Sequence, residues 1–173
     1  FSRDKSNGSW AKAFGGAFGT AGLGVTDSSE NGSGTSHTID NNGRNNYLVF
    51  VFDQVVVPTK ASIGWVSGDS DAQVWVGTIN GAYTSAPMLS DAILAGFGSA
   101  ETSTGGSSAR TFSFNATGKS GNVVVIAAKT GESNDYFKVS KIDTTCTTPE
   151  PPEPPCVAKT FTMNVDSGSG STG

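Results

Sequence analysis

"NYLVFVFDQVVV", Asn46 to Val57, decides the fold class. The run is dense in aromatic and β-branched residues and is apolar at odd and even positions alike. A strand built from it is apolar on both faces and belongs in the middle of a β-assembly. Pro58 follows and is expected to close it. Working outward, "KASIGWVSGDSDAQVWVGTI", Lys60 to Ile79, reads as strand, tight turn, strand, with Gly68 and Asp69-Ser70-Asp71 supplying the turn chemistry. "ARTFSFNATG" sets Phe112 and Phe114 against Thr111, Ser113 and Asn115, the period of two of a half-buried strand. "GNVVVIAAKTG" is a second strand apolar on both faces, and "DYFKVSKID" is another alternating one.

Residues 1–46 are rich in Gly, Ser and Asn and are expected to form loops, with one or two short strands at "SWAKAFGGAFG" and "GLGV". "MLSDAILAGFG", Met88 to Gly98, has helical spacing at Leu89, Ile93, Leu94 and Phe97, with Ser90 as its cap. Together these segments predict an all-β fold: an antiparallel β-sandwich, jelly-roll-like, with a C-terminal extension strand.

The 173 residues predict one folded unit followed by a tail. With 23 glycines and 15% charged residues, the composition is that of an extracellular all-β protein. A net charge of −4 and a pI near 4.8 provide no basic stripe, so the electrostatic term that drives nucleic-acid binding is missing. No apolar run is long enough to span a membrane. The opening "FSRDKSNGSW" has neither a methionine nor an apolar signal core, which predicts a mature, exported product.

Three parts are expected: a β-sandwich domain over residues 1–145, a Pro-rich spacer over 146–156, and a tail over 157–173. Cys146 and Cys156 are the only cysteines, with five prolines and two glutamates between them. Outside the cytoplasm, and with no histidine nearby, they are expected to form a disulfide. Nine polyproline residues would run roughly 28 Å if straight, whereas a disulfide holds its Cα atoms within about 7 Å, so the spacer must double back. That starts the tail beside Cys146. There "VAKTFTMNV" alternates Val157, Lys159, Phe161, Met163 and Val165 against polar neighbours, a strand that pairs either with its own domain or with the sheet edge of another subunit. "DSGSGSTG" closes the sequence with linker composition.

Catalytic motifs are missing. His37 is the only histidine, and there is no nucleophile elbow, P-loop or H-E-x-x-H, so the expectation is a protein that is not an enzyme. Asp69 and Asp71 present carboxylates two apart on a turn, as calcium sites do, with Asp53, Asp40 or Asp91 as further ligands; a hydrogen-bonded turn is the competing reading. Calcium is the one cofactor these residues point to. Trp10, Trp65 and Trp75, with Tyr47, Tyr83 and Tyr136, can stack on sugar rings if they line one face, although Trp65 and Trp75 sit in strand patterns that favour the core. Asn7, Asn31 and Asn115 open Asn-x-Ser/Thr sequons.

"GLGVTDSSENGSGTSHTIDNNGRNNYLVFVFDQ", then "SIGWVSGDSDAQVWVG" and "DYFKV", resembles the exosortase-dependent surface proteins of the PEP-CTERM type over about residues 20–142. The matching positions are Gly22 to Val25, Glu30, His37 to Asn41, Phe52 with Asp53, and Gly68 to Trp75. The resemblance implies a secreted β-sandwich of a Gram-negative bacterium, sorted to the cell surface or extracellular matrix, with no catalytic role. The family's Pro-Glu-Pro motif is echoed in "PEPPEPP", but "CVAKTFTMNVDSGSGSTG" stands where its apolar anchor and basic cluster would be. The reading expects a structural surface or matrix protein that self-associates into a homopolymer by donating its C-terminal strand. The alternative is a carbohydrate-binding module or lectin-like adhesin, calcium-dependent, recognising extracellular polysaccharide.

Overall fold

A computed structural model describes residues 1–17, 19–80 and 89–146, the last without the Cys146 side chain. The expected Cys146–Cys156 disulfide, the spacer and the tail strand of Val157, Lys159, Phe161, Met163 and Val165 lie outside the described residues, as do Tyr83 and Met88.

The N-terminal third contributes five short strands: β1 (Ser2–Asp4), β2 (Trp10–Ala11), β3 (Phe14–Ala17), β4 (Leu23–Thr26) and β5 (Ile39–Asp40). β6 (Arg44–Val66) and β7 (Ala72–Gly77) follow, then the helix α1 (Asp91–Phe97). The chain continues with β8 (Glu101–Ser103), β9 (Arg110–Ser113), β10 (Gly121–Ala128) and β11 (Tyr136–Cys146). Every strand pair is antiparallel, and hydrogen bonding joins all eleven strands into one sheet whose main path runs β3-β4-β11-β6-β10-β7-β8. The all-β antiparallel class is as expected. The pairing joins the strands through one continuous hydrogen-bonded sheet.

The cause is β6. Pro58 was expected to end this strand, yet β6 runs through it for 23 residues. Proline lacks only an N–H, and Pro58 lies where the register with β11 shifts between Asp143 and Thr144, so the ladder gives up little there. Its carbonyl accepts from Asn115 Nδ2 at 2.9 Å. The first half of β6 pairs with β10, Tyr47 to Val51 opposite Ala127 to Val123. The second half pairs with β11, Val66 opposite Phe137 through Val56 opposite Cys146, and with β9 on its other side. The expected strand-turn-strand at Lys60–Ile79 is therefore no hairpin: its second strand, β7, pairs with β10 and β8 instead.

The two halves share a core. Val74 and Val76 of β7 and Val124 and Ile126 of β10 pack with Ile63, Phe112, Phe137, Val139 and Ile142 from the other half. Alternation sends Val123, Val125 and Ala127 to the opposite face of β10, where Leu94 and Phe97 of α1 cover them. That two-sided burial is why "VVVIAA" is continuously apolar. In β11 the inward set changes from Phe137 and Val139 to Ile142, because a bulge between Val139 and Lys141 inserts one residue and reverses the alternation.

α1 forms as expected. Ser90 caps it, its hydroxyl accepting the Ile93 N–H at 3.3 Å. Gly77 allows the helix to dock, since any Cβ there would collide with the Phe97 ring. Among the described residues no helix is long and apolar enough to cross a membrane.

Candidate functional site

The turn after β6 brings Asp69 and Asp71 together as anticipated. Gly68 reverses the chain at φ +79, a conformation open to glycine at little cost. The third carboxylate is Asp135, at the head of β11, and oxygens of all three lie within 4.8 Å of one another. The anticipated partners are placed elsewhere: Asp91 pairs with Arg3, Asp53 is exposed on β6, and Asp40 bonds Thr38 and Asn46. Sequence reading missed Asp135 because it lies 64 positions from Asp71. The isolated bridge between Asp69 and Asp135 is what joins the two segments.

Protein donors meet these carboxylates. Asp135 Oδ1 accepts the Asp71 N–H at 2.9 Å and its Oδ2 accepts Asn41 Nδ2 at 2.5 Å, while Asn41 Oδ1 takes the Asp135 N–H at 3.1 Å. Asp71 accepts from Gly105 N at 2.7 Å and Lys129 Nζ at 3.1 Å, and Asp69 Oδ1 from Ser70 N at 2.7 Å. Arg110 Nη2 donates to the carbonyls of Ser70 at 2.7 Å and Ser103 at 3.0 Å. Burial, followed by repulsion from Asp71 and Asp69, pushes the Asp135 carboxyl up to about 6 against these hydrogen bonds. The cluster ties four loops together. Calcium takes six to eight oxygens, and a cation entering here competes with the Lys129 ammonium already on Asp71.

A second acidic group joins Asp27 and Glu30, which follow β4, to Asp40 in β5. Asp40 accepts from Asn42 N at 3.0 Å, Thr38 Oγ1 at 3.3 Å and Asn46 Nδ2 at 3.2 Å. Glu30 Oε2 accepts the Asp27 N–H at 2.7 Å. Burial is the main cause that raises Glu30 to about 7 and Asp40 to about 6, and Asp27 adds repulsion to both. Both acids therefore hold their protons well above the usual carboxylate range, Asp40 up to about 6 and Glu30 up to about 7. The one histidine, His37, is pushed below its usual value by burial and by Lys138.

The aromatic residues divide. Trp10, Tyr47 and Trp75 form a row, with ring centroids 4.7 Å apart at 48° and then 6.1 Å apart at 41°. Trp65 lies away from them under Lys138, whose Nζ is 5.1 Å from the ring centroid. All three tryptophans are half-buried; Trp75, as expected, and Trp10 with it pack against the buried cluster under α1. Beside the row opens a cleft of about 490 Å³ lined by Asn45, Tyr47, Gln73, Trp75, Asp91 and Thr130, among others. On its rim Arg3 grips Asp91 through two bonds of 2.9 and 3.0 Å, and Trp10 Nε1 donates to Asp91 Oδ1 at 3.2 Å.

Of the three sequons, Asn7 and Asn31 are exposed. Asn115 is buried at φ +59, its amide donating to Pro58 and Lys119 carbonyls, so a glycan has no access there. Compared with protein-family models, curated proteins and solved structures, the chain finds no match, and its functional reading rests on its own residues.

Proposed function

We propose that this chain is an exported, non-catalytic structural component of a bacterial surface or extracellular matrix. Its copies join into a filament when Val157–Val165 of one lies along β6 of the next. The observation that carries this is the second side of β6. Tyr47 exchanges both backbone hydrogen bonds with Phe1, each 2.9 Å, so by antiparallel alternation Val49 and Val51 turn their N–H and C=O to that same side, away from β10. β1 occupies this side at Arg44–Asn46 and β11 from Val56 onward. Among the described residues no strand lies against the stretch from Leu48 to Asp53 between them. Val51 is 37% exposed there.

That stretch would extend about 20 Å at 3.4 Å per residue, within the reach of a nine-residue donor strand. Backbone bonds would supply affinity, and the donor's alternating Val157, Phe161 and Val165 the selectivity. A head-to-tail contact of this kind does not close on itself and so propagates.

Electron microscopy and size-exclusion chromatography test the reading. The full chain should form filaments. Chain ending at Cys156 should run as a monomer, and Val51→Pro, which removes an edge N–H but no bond to β10, should shorten or abolish filaments while the domain stays folded. A full chain that is monomeric at every concentration, or filaments that survive loss of residues 157–173, would overturn it.

A further inference from the structure

We infer that the cleft beside Trp75 binds a neutral hexopyranose chain, a function separate from self-association through β6. Its floor carries an unsatisfied acceptor. Asn45 is 4% exposed and lines the cleft, and its Oδ1 is buried without a hydrogen-bond partner. A ligand hydroxyl that reaches Asn45 would supply the missing donor. Tyr47 lines the cleft beside Asn45.

The remaining groups narrow the ligand class. Gln73 Oε1 is engaged by Thr130 N at 3.2 Å and Thr130 Oγ1 at 3.1 Å, which fixes the amide and presents its Nε2 as a donor. Trp75, half-buried, lines the same cleft. Asp91 keeps acceptor capacity on the rim, because a carboxylate has about four lone-pair sites and three donors reach it. A pyranose matches this set: its hydroxyls donate to Asn45 Oδ1 and Asp91, accept from Gln73, and its C–H face packs on Trp75.

Other ligands fit less well. An anion such as phosphate would meet the bare Asn45 oxygen, while Arg3 is neutralised by Asp91 and Lys5 is spent on the carbonyls of Asn41 and Glu132. A purely apolar ligand would seal Asn45 Oδ1 away from any donor.

Isothermal titration of the full chain with cellohexaose, mannohexaose and laminarihexaose tests the inference. At least one should bind at millimolar concentration or below. Trp75→Ala and Gln73→Ala should each weaken that binding about tenfold, while Trp65→Ala, outside the cleft, should leave it unchanged. Gln73→Ala touches no core residue, so it reports even if Trp75→Ala loosens the fold, and melting curves accompany each variant. Absence of binding to all three probes, or binding indifferent to the Gln73 and Trp75 changes, would overturn the assignment.

Discussion

Asp40→Asn isolates one titrating element buried in the fold. In the folded chain burial lifts the Asp40 carboxyl from 3.8 to about 6. Each unit of pKa corresponds to about 1.4 kcal/mol, so ionising Asp40 in place costs up to about 3 kcal/mol more than in the unfolded chain. A raised pKa means that the folded state holds the proton more tightly. The stabilisation is therefore complete below the unfolded value near 3.8 and lost as pH rises through about 6. Glu30 acts in the same direction up to about 7, with a smaller share because it is more open to solvent. Asparagine has nearly the same shape, keeps one accepting oxygen and never ionises. Urea unfolding followed by tryptophan fluorescence, at about pH 4.5 and about pH 7.5 and fixed ionic strength, should show the native chain losing stability with rising pH. Asp40→Asn should match it within about 1 kcal/mol at the acid value and exceed it by about 2 kcal/mol at the higher one. A native chain whose midpoint does not fall, or a variant that falls just as steeply, would refute the buried-acid account.

Two further outcomes are expected. Phe137→Ala, at a side chain with no exposure in the shared core, should destabilise by about 3–5 kcal/mol in the same assay. Lys129→Gln removes the ammonium 3.1 Å from Asp71, so calcium should then raise the variant's melting temperature by a few degrees and the native chain's by less; equal responses would show that Lys129 does not occupy the cation's place.

Local chemistry made much of this fold legible. Strand composition at Asn46–Val57 and Gly121–Ala128, the capped helix after Ser90 and the turn at Gly68 follow from spacing and side-chain type alone. What escaped was set by partners distant in sequence. Pro58 looks like a terminator until Thr144 and the bulge of β11 lie beside it. Trp65 looks like a core residue until Lys138 covers its ring from the next strand. The site divides in the same way. Asp69 and Asp71 were readable as a pair, whereas Asp135, and Asn45 beneath the aromatic row, acquire their surroundings only when β11 and β1 pair with β6. The propensity of one segment carries no information about which other segment completes it.

The continuity of β6 also bears on the order in which the chain becomes compact. The strand made at Arg44–Val66 acquires its long neighbours only when Gly121–Ala128 and then Tyr136–Cys146 have been synthesised. These distant pairings must bear the entropy of closing long loops before any ladder rewards them, so the sheet forms slowly and late. A nascent chain of this kind cannot complete its sheet until most of its length has been synthesised, and an unpaired apolar β6 is what it must keep from other chains in the meantime.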